Sequence, residues 1–479
     1  MTMSAPAAAL EAHLDATAER RLSRYLDFLR IPSISGIPEH APDCRRAAEQ
    51  LAADLRTAGL EHVEVSETGG HPVVYADWLH ATGAPTVLLY GHYDVQPADP
   101  LDEWLAAPFE PIVRDGRVLA RGASDDKSNV SIALCAVEAV LATRGALPIN
   151  LRLVFEGEEE SSSVHLEPWL EANAARLAAD VALVADSGFF AGNLPAITVG
   201  LRGLAAAEIH VRGPHQDVHS GVFGGAIENP INALASIIAG LKGPDGRVRI
   251  PGFYDDVVAL TDAERQAMAA LPFDEEAFRA ELAVPALVGE SGWTTMERRG
   301  ARPTLDVNGI WGGFSGEGSK TIIPGRAQAK ITCRLVANQD PTRIFALLRD
   351  YVLQIAPPGV RVEVVAMGGG RPTLTARDQP ATLAYAHALE TAFGRAPVYV
   401  REGGSVPVAA SFETILGLPV TVMGFMPPNG NFHAPNEWMD LGNFETGIRA
   451  LIEFFDEFAA RPDGPRPPGG PASGGTSEG

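Results

Sequence analysis

Five separated places put imidazole or carboxylate side chains just past an apolar run or at the start of a helix: His92 with Asp94, Asp125 with Asp126, Glu158 to Glu160, Asp186, and His433. Any one of them alone reads as a solvated loop charge. Gathered at one sheet edge, however, the carboxylates repel one another, and a fold that assembles them needs a cation between them. Two histidines and several carboxylates with no cysteine form a ligand set for zinc, manganese or cobalt. One carboxylate more than a single tetrahedral site needs points to two ions. A pair about 3.5–4 Å apart shares a bridging carboxylate and a water whose lowered pKa supplies hydroxide near neutral pH, so the expected chemistry is hydrolysis.

The elements that must position these groups centre on Val87–Pro97, V-L-L-Y-G-H-Y-D-V-Q-P. An apolar run of strand length stops at Gly91 and hands over to His92 and Asp94, as active sites of open α/β sheets require. In an extended backbone His92 and Asp94 aim to one side, which places Asp94 to hold the imidazole ring. Further strands are expected at 63–65, 73–78, 151–155 and 181–185, the last two ending in Gly157-Glu158-Glu159-Glu160 and Asp186-Ser187-Gly188. Helices are expected over 22–30, from Asp43 as N-cap to Gly59, over 128–141 and near 166–177. This alternation predicts an α/β fold with a mixed, mainly parallel sheet.

Near Leu204 the pattern changes. Ala327, Ala329, Ile331, Cys333 and Leu335 alternate with polar residues, which suits an antiparallel sheet wet on one face. A polar, Pro-containing stretch is expected between a helix at 231–241 and Pro303. The resulting division is a catalytic domain in two segments, 1–204 and 373–460, an inserted α+β second domain over 205–372, and a disordered Pro/Gly tail over 461–479.

Composition narrows the partners. The formal net charge of −22 disfavours nucleic acid and anionic membranes. No apolar run approaches the roughly 18–20 residues that span a bilayer, and the first residues lack the basic and apolar regions of a secretory signal, so a cytoplasmic location is expected. Three widely spaced cysteines, Cys44, Cys135 and Cys333, read as reduced and buried.

The motifs G-H-Y-D-V-Q-P, R-G-A-S-D-D-K, E-G-E-E-E-S-S-S, D-V-H-S-G-V-F-G-G, N-G-I-W-G-G-F-S-G-E-G-S-K-T-I-I-P, R-E-G-G-S-V-P and H-A-P-N-E-W occur in chain order across roughly residues 20–460. Together they resemble the di-metal aminoacylase, carboxypeptidase and dipeptidase family, and most closely its carnosinase-like dipeptidases. The resemblance implies that His92 and Asp186 hold one metal, that Glu160 and His433 hold the other, and that Asp125 bridges them. It makes Asp94 the orienting group of His92 and Glu159 the general base. Where the family carries G-M-E-E-S-G-S, this chain has Glu158 for Met and Ser162 for Gly; G-x-E-E from Gly157, with Ser161 and Ser163, selects Glu159 and Glu160. Ser128 replaces the usual Gly after D-D-K. The resemblance makes the inserted domain over 205–372 a lid that also dimerises; His219 resembles a histidine that reaches across that dimer to polarise the scissile carbonyl, and Thr321, Arg334 and Ser405 resemble residues that grip the substrate carboxylate, with Asn308 adding a polar contact.

The expectation is a homodimeric hydrolase carrying two divalent ions per subunit, zinc first and manganese or cobalt next, that cleaves the amide bond of dipeptides. An N-acyl or N-carbamoyl amino acid amidohydrolase is the enzymatic alternative. A metal-stabilised binding protein is the non-enzymatic one.

Overall fold

Four apolar runs form the parallel centre of one sheet. Thr86–His92 lies between Asn150–Glu156 and Val181–Ala185, parallel to both, and Val420–Met423 continues the parallel order beside Val181–Ala185. The last two are buried throughout, as strands covered on both faces must be. The margins are antiparallel: Glu61–Ser66 pairs with Val73–Trp78, which pairs with Asn150–Glu156, and on the other side Val422 faces Thr198. The sheet is therefore mixed, with its parallel strands innermost. Helix Lys127–Arg144 packs on Thr86–His92, and helices Ala5–Leu29 and Leu441–Ala460 pack on Lys127–Arg144.

These elements belong to the first of two units in a computed structural model that describes residues 5–461 except Ser405. That unit takes in the chain up to Thr198, Thr375–Tyr399 and the chain from Ser411; the second takes in Val199–Leu374 and Val400–Ala410. The segment 462–479, read above as part of a disordered tail, lies outside the described residues. So does Ser405.

The second unit is built on a four-stranded antiparallel sheet ordered Thr304–Gly312, Arg326–Leu335, Gly203–Arg212, Arg361–Gly370. The alternation read at 327–335 is present, with Ala327, Ala329, Ile331, Cys333 and Leu335 all buried. Leu234, Ile237 and Leu241 of helix Pro230–Leu241 and Ile344, Leu348 and Val352 of helix Pro341–Ile355 join them in one core.

Three local expectations differ from the structure. The first helix begins at Ala5, not near Leu22, because the Ala-rich leader has high helix propensity. Asp43 is not the cap of the second helix, which begins at Ala41; the Asp43 carboxylate instead meets His40 Nδ1 at 2.8 Å. The polar stretch before Pro303 contains helices Asp262–Ala269, Glu275–Glu281 and Thr295–Gly300. Thr261 with Glu264 and Thr294 with Glu297 form reciprocal capping boxes there, satisfying amides that a short helix leaves unpaired. The three cysteines are free and buried, and among the described residues no helix is long and apolar enough to cross a membrane.

Candidate metal centre

The parallel strands deliver the site by ending together. His92 is the last residue of Thr86–His92, Glu159 and Glu160 start the turn just past Asn150–Glu156, and Asp186 directly follows Val181–Ala185. Gly91 precedes His92 because the sheet is crossed there: a Cβ at this position would lie 2.9 Å from Asp126 Oδ2 and 3.0 Å from Val130 Cγ2. Asp126 Oδ2 accepts the His92 backbone N–H at 3.1 Å and Oδ1 accepts from Asn129 Nδ2 at 2.7 Å, so the start of helix Lys127–Arg144 is tied to the strand end. Asp126 is joined to Asp125 by a cis peptide bond.

Asp125 stands at the middle of the cluster. Its Oδ1 is 3.1 Å from His92 Nε2, and its Oδ2 is 3.0 Å from His433 Nε2. His433 Nε2 also lies 3.3 Å from Glu160 Oε2. Two groups of three follow, His92 with Asp125 and Asp186, and Asp125 with Glu160 and His433, each offering ligand atoms within 4.8 Å of one another. The two groups share Asp125.

The close imidazoles and carboxylates shift one another's protonation. The His433 imidazole is pushed up to about 10 by its bonds to Asp125 and Glu160. Burial works against a charged His92, yet bonds to Asp125 and Asp94 raise it well above the usual histidine range. Burial likewise opposes ionisation of Asp125, and its two imidazole partners outweigh this and hold its carboxyl below the usual range. A nitrogen and oxygen donor set in two groups around a shared carboxylate fits a pair of divalent ions.

A supporting shell fixes the donors. His92 Nδ1 faces the Asp94 carbonyl at 3.1 Å and Asp94 Oδ1 at 3.3 Å, leaving Nε2 for the cluster. The same fully buried Asp94 carboxylate accepts the backbone N–H of Glu159 at 3.3 Å and of Glu160 at 3.0 Å. One side chain thus contacts a residue from each group. Asp94→Asn removes the charge and one acceptor while keeping the size, and metal affinity is expected to fall about 10–100-fold, measured by competition with a chromogenic chelator.

Three supporting residues escaped the reading from sequence. Gln96 Nε2 donates to Glu160 Oε2 at 2.8 Å. Glu437 is fully buried: its Oε1 accepts the N–H groups of Ser124 and Asp125 at 2.8 and 2.9 Å, and its Oε2 accepts the Gly122 N–H and Arg121 Nη1, both at 2.8 Å. The strand Trp438–Asp440 that follows Glu437 pairs with Arg117–Leu119, which brings this carboxylate under the Asp125 loop. Gln96 lies within G-H-Y-D-V-Q-P, Glu437 within H-A-P-N-E-W and Arg121 within R-G-A-S-D-D-K, so motif membership was the available signal.

Glu158, the departure at the expected Met, does not join the cluster. Its carboxylate meets His165 Nδ1 at 2.9 Å and accepts the His71 N–H at 3.1 Å. Glu159 is the acid whose carboxyl is pushed well up, first by burial and then by Asp186, Glu160 and Asp125, with His92 opposing.

The remaining candidates lie in the second unit. His219 is exposed at the end of the short strand Val218–His219, its Nδ1 accepting the Gly221 N–H at 3.0 Å. The exposed Thr321 is beside it, since the Ser220 N–H donates to the Thr321 carbonyl at 3.0 Å. Asn308 is exposed at a register shift in the edge strand Thr304–Gly312. Arg334, half-buried, pairs with Leu204 in register.

The model of peptidase family M20/M25/M40 matches residues 88–457. The Cys-Gly metallodipeptidase of Schizosaccharomyces pombe is 31% identical over 463 residues, which cover 93% of this chain and 97% of that protein. Human beta-Ala-His dipeptidase is 32% identical over 393 residues, 81% of this chain and 78% of the relative. Among solved structures, an M20 family metallo-carboxypeptidase of Sulfolobus solfataricus superposes with a TM-score of 0.81 at 33% identity, covering 92% of this chain and 99% of that one. With its catalytic-type sheet ending in two ligand groups around Asp125, and with matches along most of its length, this chain belongs to peptidase family M20/M25/M40.

Proposed function

We propose that the chain is a metal-dependent dipeptidase. The observation that carries this reading is the pair of ligand groups sharing Asp125, set in a chain similar along nearly its whole length to metallodipeptidases. Zinc is the ion we assign, on the nitrogen and oxygen donors, with manganese or cobalt able to take the same ligands. His92, Asp125 and Asp186 would hold one ion, and Asp125, Glu160 and His433 the other. A bound pair of divalent ions lowers the pKa of water and polarises a carbonyl.

The chain's own residues do the rest. Asp94 holds the His92 ring and the Glu159-Glu160 turn. Glu159, kept high by burial among carboxylates, takes the proton of the attacking water and returns it to the leaving amine. Arg334 supplies a planar guanidinium for the substrate's carboxylate, with Thr321, Ser405 and Asn308 as further polar contacts. His219 polarises the scissile carbonyl from the partner subunit of a homodimer formed through the second unit. Exposed Val222, Phe223, Ile310 and Trp311 in that unit offer apolar surface to a second copy. We place the enzyme in the cytoplasm.

The test is a substrate panel on metal-loaded protein, comparing dipeptides with the matching N-acetyl and N-carbamoyl amino acids before and after chelation. Turnover of dipeptides that chelation abolishes is expected. Turnover of the N-acyl or N-carbamoyl compounds alone overturns the dipeptidase reading, and no hydrolysis in any arm overturns the enzymatic one.

A further inference from the structure

The loop that leads into Ser405 is held by a residue that neither the metal centre nor the carboxylate grip includes. Arg202 sits just before the strand Gly203–Arg212, and it bonds this loop twice. Its backbone N–H donates to the Gly404 carbonyl and its Nε donates to the Gly403 carbonyl, each at 3.1 Å. The guanidinium lies so close to Gly403 that a Cβ there would come within 2.8 Å of Arg202 Nη2 and 3.1 Å of the Arg299 carbonyl. A side chain at 403 would therefore press on both the guanidinium and the Arg299 carbonyl.

The position of Arg202 on the sheet matters as much as its bonds. Along Gly203–Arg212 the residues alternate strictly, with Gly203, Ala205, Ala207 and Ile209 buried and Leu204, Ala206, Glu208 and His210 partly exposed. Arg202, two residues before Leu204, shares the partly exposed phase, and Leu204 is the register partner of Arg334. The two guanidiniums feel each other: burial first, then the Arg334 charge, push Arg202 down to about 10, with Asp306 opposing and Arg299 adding to the depression. In a chain of net charge −22, Arg202 and Arg334 bring positive charge to one place on this sheet, which suits recognition of a carboxylate.

We propose that Arg202 is a positioning residue for recognition of the substrate's carboxylate, clamping Gly403 and Gly404 against the strand that pairs with Arg334 and adding a second guanidinium beside it. This rests on the dipeptidase reading and deepens it. Arg202 need not touch the reacting bond. Its contribution is to the binding of the free C-terminal carboxylate, which a dipeptide has and a dipeptide amide lacks.

The experiment compares Arg202→Met, Arg202→Lys and the parent enzyme, metal-loaded, on one dipeptide and its C-terminal amide, with calorimetric binding of both ligands and a thermal melt for each protein. Losing a charge-assisted clamp is expected to raise KM and Kd for the free acid at least about tenfold in Arg202→Met, with kcat falling no more than about threefold. The amide should move by less than about twofold, and Arg202→Lys, which keeps a cationic donor, should regain part of the loss. Equal losses for acid and amide, or a fall confined to kcat and melting temperature, make Arg202 a purely structural residue and overturn the proposal. So does an Arg202→Met enzyme with parental KM. Should the parent bind the dipeptide acid without cleaving it, the hydrolase reading fails while the binding comparison still decides the role of Arg202. Should the parent bind no dipeptide acid, both fail.

Discussion

Glu159→Gln is expected to take up metal as the parent does and to lose at least about 10²-fold in turnover, read by metal analysis and steady-state kinetics on one preparation. The amide keeps the size and polarity of the side chain but cannot accept a proton from water. Glu159 belongs to neither ligand group, and what holds the turn in place is its backbone N–H on Asp94, which the substitution leaves intact. Metal content should therefore stay at the parental level while kcat collapses. A variant retaining near-parental kcat shows that the base lies elsewhere, and a variant that loses metal shows that Glu159 is a ligand. The same protein reports on assembly: mixing it with His219→Ala subunits should restore part of the activity if His219 acts across the dimer. Heterodimers that form without rescue exclude that role.

Glu437→Ala should be among the most damaging single substitutions outside the ligands. The carboxylate is fully buried and satisfies three backbone N–H groups as well as Arg121, which is itself only 1% exposed. Removing it leaves a buried guanidinium without its counter-charge, a loss of about 3–5 kcal/mol for pairs of this kind. Two of the released amides belong to Ser124 and Asp125, so the Asp125 carboxylate loses its backbone anchor, and metal is expected to be lost along with stability. Denaturant unfolding and metal analysis check both effects. A variant within about 1 kcal/mol of the parent that retains its metal shows that the Asp125 loop is held by other means.

The local chemistry of the site was written in the chain. The arrest of an apolar run at Gly91, the His92 and Asp94 pair, and carboxylates placed just past three successive strands could be read because strand ends in parallel sheets are where polar groups collect. So could the alternation at 327–335, since a half-buried strand must alternate. Other features were present as signals and passed unread: the two Thr-x-x-Glu capping boxes that begin helices inside a stretch read only as polar and Pro-containing, and the Ala-rich leader that continues a helix back to Ala5. A polar composition with prolines hid short helices whose stability comes from their caps and from packing.

By itself the sequence determined which residue types could bind metal, that they follow strands, and the family they resemble. The resemblance implied that Asp125 lies between His92 and His433; tertiary structure supplied the contacts, across 33 and 308 residues of chain. It also decided that Glu437 serves the Asp125 backbone, that Glu158 turns away to His165, and that Arg202 meets the Gly403 carbonyl. The physical reason is common to all of them. Which face a strand buries is set by neighbours along the chain, but which buried charge meets which donor is set by strand order and loop paths, and those arise only when distant segments pack.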